Sequence, residues 1–327
     1  MLRTVVQCGI GIFLLALFLR QIDLTSTRSA IGRATIAPLI ASLMAYALDF
    51  LLRSVRFWML LKAVSGRQLP LRSVPGPFIA SFGISDLLPL RAGDLFRLAW
   101  FQRKRGLTTG SVIGAMIIER FYDLSSLLLV AAMLLGWHLG SISSIFILCG
   151  GILAMILLPM ALSHISPDAR RTASFLPARP WMTRIATGWQ DMRNAFRILG
   201  SFRRVAKLGA ISLICWTLEA SLFLGVWISL GETVERWPAP MAAFTASTLG
   251  TLVPGLPGHF GTFELFGFEA FTLSGVTHAK ASAVLLLAHL LLWAPTALFA
   301  IIWLFFVQPG GQSRKAAKQT DGMLPHG

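Results

Sequence analysis

The chain has 327 residues, 55% of them hydrophobic and only 13% charged, and its mean hydropathy is +0.70. A soluble domain carries roughly 25% charged residues, so a water-soluble fold would have too much apolar surface to hide. The net charge of +15 would point to nucleic acid in a soluble protein. Here Lys and Arg fall in short gaps between apolar runs, with no basic domain of interleaved aromatics, which excludes that partner and predicts a polytopic membrane protein.

The first apolar run, about residues 4–20, follows Arg3 and precedes no small-x-small cleavage pattern, so it reads as a retained first helix. A short polar loop is expected at 21–35. A second helix covers 36–52, and Arg53, Arg56 and Lys62 mark its cytoplasmic end, with Trp58 at the interface and Arg67 and Arg72 keeping the next loop basic. The apolar run 74–88 is too short to span and is broken by Pro75, Gly76, Pro77 and Gly83. Basic residues flank it on both sides, Arg103, Lys104 and Arg105 on the far one, which predicts a re-entrant hairpin returning to the cytoplasmic side.

Two further helices are expected at 108–137 and 142–162. The loop 164–207 carries nine Lys or Arg against two Asp, which makes it cytoplasmic. Apolar and basic residues alternate at helical spacing over 181–199. That pattern fits an interfacial helix on anionic lipid and equally an ordinary solvated linker helix. A span follows at 208–230, with Glu219 near its middle. The acidic stretch 231–240 suits the outside face. A short run at 241–253 is broken by Pro254, Gly255, Pro257, Gly258 and Gly261, and Glu264 then opens an aromatic-rich helix. The last span is 279–307, before a polar, basic tail. Cys8, Cys149 and Cys215 lie in apolar runs with no CxxC and read as small buried hydrophobes.

The expected fold is all-α: a helical membrane protein of about 7–9 segments, including re-entrant or broken helices. One integral membrane domain covers 1–309, and a disordered cytoplasmic tail covers 310–327. Both termini are expected in the cytoplasm. The outline Leu-Pro-x-x-x-Gly occurs at 88–93 and again at 256–261, which suggests a two-half pseudo-repeat.

A charge inside a bilayer costs about 2.5–3.5 kcal/mol on insertion scales and faces a cavity or a partner. That singles out Arg91, Asp94, Arg97, Glu119, Arg120, Asp123, Glu219 and Glu264. Glu119 and Asp123 share a helix face, and Asp94 and Arg97 are close enough to pair. The plain alternative is that these charges cancel and only hold the bundle together. Pro89, Gly93, Pro254, Pro257, Gly258 and Gly261 break the backbone, and freed backbone groups at membrane depth imply a cavity. Broken helix ends suit anions, and guanidinium matches phosphate. His259 lies in the second broken stretch and is able to titrate, though a lone His is more often structural, and His289 reads as a packed polar residue. Gly110-x-x-x-Gly114 and Gly136-x-x-x-Gly140 fit close helix packing. No HExxH, Walker A, GxSxG or Asp-rich metal pair occurs, so no enzyme, metal or cofactor is expected.

The sequence resembles the flippase-like family named for the transmembrane region of lysylphosphatidylglycerol synthase. Four pieces carry the likeness, in order over about residues 5–307: Arg53-x-x-Arg56-x-Trp58-x-x-Leu61, Leu88-Pro89-x-Arg91-x-Gly93-Asp94-x-x-Arg97, Glu119-Arg120-x-x-Asp123, and Pro257-Gly258-x-x-Gly261-x-x-Glu264. The family more often has Gly-Glu where this chain has Gly93-Asp94, and Pro-Gly-Gly where it has Pro257-Gly258-His259. The resemblance implies a multi-pass inner-membrane protein handling a lipid. Relatives move aminoacylated phosphatidylglycerol or are associated with hopanoid or polyprenyl-linked sugar pathways. It places Arg91, Asp94, Arg97, Glu119, Arg120, Asp123 and Glu264 along the headgroup path.

Three readings stay open. The chain is a lipid flippase or lipid-binding transporter for a phospholipid or polyprenyl-linked headgroup. In that reading Arg91 and Arg97 hold phosphate, and Glu119, Asp123 and Glu264 receive an amine or hydroxyl or exchange protons. Otherwise it is a subunit presenting a lipid to a separately encoded lipid-modifying or glycosyl-transferring enzyme, or a secondary transporter of a small solute.

Overall fold

The computed structural model describes residues 2–139, 146, 149–158, 161 and 198–306. All regular structure among the described residues is helical. The helices are α1 (Leu2–Gln21), α2 (Leu24–Gly32), α3 (Ile36–Ser65), α4 (Pro75–Leu87), α5 (Ala92–Arg105) and α6 (Thr109–Leu139). Then come α7 (Cys149–Leu158), α8 (Phe202–Ser229), α9 (Pro238–Gly250), α10 (Thr262–Leu273) and α11 (His278–Phe306). Among the described residues, three helices, α3, α8 and α11, are long and apolar enough to cross a bilayer, and the bent pair α1–α2 makes four if it counts as one span. The expected 310–327 tail, the Gly140 end of the Gly136-x-x-x-Gly140 pattern, nearly all of the expected interfacial helix at 181–199, most of the 164–207 loop and part of the 142–162 span lie outside the described residues.

Local chemistry sets the helix ends. The expected loop 21–35 contains α2, because the Asp23 carboxylate accepts from the amides of Thr25 and Ser26 and caps a new helix at an 80° bend. Gly66 and Gly106, both left-handed, close α3 and α5. Proline in the first turn opens α4 and α9.

The second helix does not stop at Leu52. It continues to Ser65 and carries Arg53 and Arg56 into the interior, 5% and 0% exposed, rather than to a membrane surface. Lys62 alone of the three sits in the last turn.

α3 and α8 run antiparallel, the amide of Thr35 donating to Ser229 O at 2.8 Å. α4 and α5 form a hairpin whose base lies at the end of the bundle where α3 finishes. Arg67 donates to Arg105 O, and Gly76 packs on Trp303 near the end of α11. Its tip reaches mid-α11, where Trp293 donates to Asp86 O and Thr296 to the Asp86 carboxylate. α9 and α10 form a second hairpin from the opposite end, where Lys280 at the start of α11 pairs with Glu232. α4 and α9 have 13 residues each, roughly 20 Å of helix, which is short of the ~30 Å hydrocarbon layer. Both hairpins therefore end inside the bundle, and their tips meet: Arg91 donates to Thr251 O at 3.5 Å.

The two Leu-Pro outlines adopt one local conformation. Pro89 and Pro257 each start a 3-10 turn. Leu90 and Arg91 have φ of 61° and 52°, and Gly258 and His259 have 68° and 61°. Among the described residues these are the three non-glycine positions with positive φ, a region that strains residues with a Cβ.

Aromatic side chains fill the interior, as in the stacked Trp227–Phe271 pair at 5.8 Å and the Phe57–Phe101 edge contact. Leu298, Ile302 and Phe305 of α11 point outward, as lipid-facing side chains do. Cys215 is buried as expected, whereas Cys8 is only partly so and Cys149 is exposed. Gly93 lets α5 lie on α4, since a Cβ there would stand 1.6 Å from Ser81 O. Gly93→Ala is expected to lower stability by on the order of 1–3 kcal/mol. Gly32→Ala, with open space around it, should match wild type. Thermal unfolding in detergent measures both.

Candidate functional site

Among the described residues, nine charged side chains form a continuous network across α3, α5, α6 and α8. Arg53 donates to both oxygens of Asp49 at 2.8 Å, pairs with Glu219, and lies 3.7 Å from Asp123. Arg56 bonds Asp123 at 2.7 Å and Ser212 Oγ at 2.6 Å, and stands 3.9 Å from Glu119. Glu119 takes Arg97 at 2.7 Å, Arg97 reaches Asp94 at 3.3 Å, and Arg120 reaches the same Asp94 at 3.2 Å. Four guanidinium groups thus face five carboxylates, in an order where nearly every charge meets its opposite. Mutual pairing is what keeps such groups tolerable away from water. Arg97 is also enclosed by the rings of Phe57, Phe78 and Phe82, with its Cζ 4.8–5.2 Å from their centroids.

Above this network lies a cavity of about 470 Å³. Its walls come from both hairpin tips and from α3, α4, α5, α6, α8, α9, α10 and α11. Arg53, Arg97, Arg120, Asp94, Asp123 and Glu219 present the network to it. Asp86 and Arg91 line it from the first hairpin, and Gly258 and His259 from the second. Arg91 has no carboxylate within 4 Å among the described residues, so it is a cation that the protein leaves unanswered. Asp86 likewise meets a hydroxyl, Thr296 at 2.7 Å, and no cation among the described residues.

The second tip is held by Glu264 and His289. Glu264 stands in the first turn of α10 and accepts from the Gly261 amide at 2.7 Å, one arm of a capping box. Its other oxygen is 2.5 Å from His289 Nδ1, and His289 Nε2 is 2.8 Å from Gly258 O. Phe260 and Phe263 cover the imidazole, with centroids at 4.6 and 4.4 Å. Gly261 is required here: its φ is 90°, and a Cβ would lie 2.5 Å from Gly11 O of α1.

The structure therefore brings Arg91, Asp94, Arg97, Arg120 and Asp123 to one cavity wall. Glu119 and Glu264 lie behind the wall, 0% and 1% exposed, each bonded to a residue that lines it. Of the backbone-breaking positions, Gly258 lines the cavity. Pro89, Pro254 and Pro257 shape the tips, and Gly93 and Gly261 provide close helix approaches. Sequence reasoning missed Asp49 and Asp86 and misread Arg53 and Arg56. The available signal was the Asp49–Arg53 spacing of four inside an apolar helix, which stacks a carboxylate under a guanidinium. His289 is a buried polar residue as expected, and it also lines the cavity.

A helical bundle whose two broken hairpins enclose a charged cavity is the architecture of a membrane protein with an internal polar site. The chain belongs to the family described as the lysylphosphatidylglycerol synthase TM region, which matches residues 4–300. It is also similar to the glycosyltransferase AglD of Haloferax volcanii, 24% identical over 331 residues. That similarity covers 88% of this chain and 52% of the relative, so the chain spans about half the relative's length.

Glu119→Gln leaves the fully buried Arg97 with Asp94 as its remaining carboxylate. The expected cost is on the order of 3–5 kcal/mol. Arg120→Ala removes a side chain that is 43% exposed and should cost less than about 1 kcal/mol. Thermal unfolding of the two variants side by side checks the contrast.

Proposed function

We propose that the cavity holds the headgroup of an anionic membrane lipid and that the chain carries this lipid between leaflets. The observation that carries the reading is Arg91, an unanswered guanidinium on a strained hairpin tip that faces the second tip across the cavity. Phosphate is the anion that a guanidinium fork matches best. His259 occupies the matching place on the other tip, and the network below supplies carboxylates for hydroxyl or amine groups. Leu88, Leu90, Leu95, Leu124 and Leu252 are 46–68% exposed around this region, which suits acyl chains that stay in the bilayer while the headgroup enters.

The two hairpins, short helices opened by proline and entering from opposite ends, support an inverted two-half plan and alternating exposure of the cavity. We place the end with Lys62, Arg67, Arg103, Lys104 and Arg105 in the cytoplasm of an inner-membrane protein. α1 begins and α11 finishes toward that end, so both termini are cytoplasmic in this reading. Counting α1, α6 and α7 as crossings and each hairpin as a re-entrant segment gives a number within the expected 7–9.

The second reading, a subunit that presents a lipid to a glycosyl-transferring enzyme, is favoured by the similarity to a relative named as a glycosyltransferase. Mass spectrometry of lipids retained on gently purified protein tests the shared step. One anionic or polyprenyl lipid is expected to be enriched on wild type and lost on Arg91→Ala, and equal bulk lipid on both rejects the headgroup cavity. Dithionite quenching of fluorescent phosphatidylglycerol in proteoliposomes separates the two readings. Outward-leaflet exchange above protein-free vesicles indicates transport, and retention of lipid without exchange indicates presentation.

A further inference from the structure

The contacts of His289 set a constraint on protons. Both ring nitrogens face oxygen: Nε2 is 2.8 Å from Gly258 O, and Nδ1 is 2.5 Å from Glu264 Oε1. A backbone carbonyl accepts and never donates, so Nε2 carries a hydrogen. A neutral imidazole has one N–H, and Nε2 has used it. The Nδ1–Oε1 contact therefore contains a second proton, held by the imidazole or by the carboxyl. Without that proton, a ring lone pair would face a carboxylate at hydrogen-bond distance with no hydrogen between them. The Glu264 charge would then keep only the Gly261 amide. Burial makes that state costly: Glu264 is 1% exposed and His289 6%.

The same three groups fix the second hairpin tip. His289 belongs to α11, Glu264 to α10 and Gly258 to the tip itself, so the proton closes a bridge among all three. We propose that Glu264 and His289 form a proton-binding site, and that losing its proton releases the tip 258–261 from α11 and moves one wall of the cavity. The bound ligand is a proton, which makes the protein's conformation proton-coupled. On release the proton leaves toward the cavity, which His289 lines and Glu264 does not.

The other titratable or charged groups facing the pair are His259 on the same tip, Asp86 on α4 and Arg91 on the first tip. Tyr46 of α3 donates to Leu292 O on the next turn of α11. The contacts from α1 to the tip come from the backbone of Gly11 and from Leu15, which do not titrate. Asp86 and Arg91 line the same cavity as the imidazole. Neither bonds it, and the direct partners remain Glu264 and Gly258.

The proposal uses the geometry of the tip and not the identity of what fills the cavity, so it is tested without a lipid substrate. Hydrogen exchange of the full chain in phosphatidylcholine nanodiscs is followed from pH 5.5 to 8.5, with intrinsic chemical exchange divided out. In wild type, protection over residues 256–265 is expected to fall by about tenfold per pH unit above a midpoint, as one proton lost per opening requires. Glu264→Gln replaces the proton permanently, since its amide nitrogen donates to Nδ1 and its oxygen accepts from Gly261. Its protection should stay high and flat with pH. His289→Ala should be unprotected at every pH. A flat wild-type profile overturns the proposal, and so does a Glu264→Gln profile that falls in parallel with wild type. Wild-type protection in His289→Ala would overturn it as well.

Discussion

The rest of the architecture depends on how three arginines are kept away from water. Arg53, Arg56 and Arg97 are nearly or fully inaccessible, and an isolated guanidinium there would be prohibitively placed. Each is answered by carboxylates from another helix, so the ion pairs specify which helix faces meet. α3 turns Asp49, Arg53 and Arg56 inward toward Glu219 of α8 and Asp123 of α6, and α5 delivers Arg97 to Glu119. A helix rotated by a third of a turn would strand charges on both sides of the interface. The network therefore acts as a registration device in a medium where the hydrophobic effect between helices is weak.

The network also accounts for the cavity above it. Charges that are paired with one another leave little field to attract a ligand, and the groups standing outside the pairing are Arg91 and Asp86. Asp86 precedes the first break and Arg91 lies in it, where Pro89 and two left-handed residues interrupt the helix. Strain at such tips persists because the surrounding packing leaves no alternative path. Gly93 against Ser81 and Gly261 against α1 are the close contacts that hold the tips in place. The proton bridge at His289 and the unanswered cation at Arg91 thus sit on opposite tips of one enclosure, one fixed by packing and ions, the other by a titratable contact.

Much of this was legible in the chain. Proline and glycine at 88–93 and 254–261 announced broken helices, and their polar neighbours announced a cavity. Pro75, Gly76, Pro77 and Gly83, expected to break the run 74–88, instead lie within one continuous helix because both prolines fall in its first turn. Asp94–Arg97 and Glu119–Asp123 followed from helical spacing. Arg53 and Arg56 were misread because basic residues after an apolar run ordinarily mark a membrane surface. Their true place depends on Glu219 and Asp123, which are distant in sequence. Glu264 was legible as the start of a helix, but its partner His289 lies 25 positions on and looked unremarkable alone. Asp86 was hidden by its neighbours, since nothing local shows that Thr296 would reach it.

By itself the sequence determined the membrane class, the helical periods, the places where helices must break and the inventory of charges that need partners. Those are consequences of local composition and backbone sterics, which each short stretch carries within itself. The tertiary structure alone decided which charge meets which, that the two hairpins enter from opposite ends, and that Arg91 and Asp86 are left over. Pairing at long sequence separation is settled by the simultaneous packing of several helices, a condition no single stretch of chain can express.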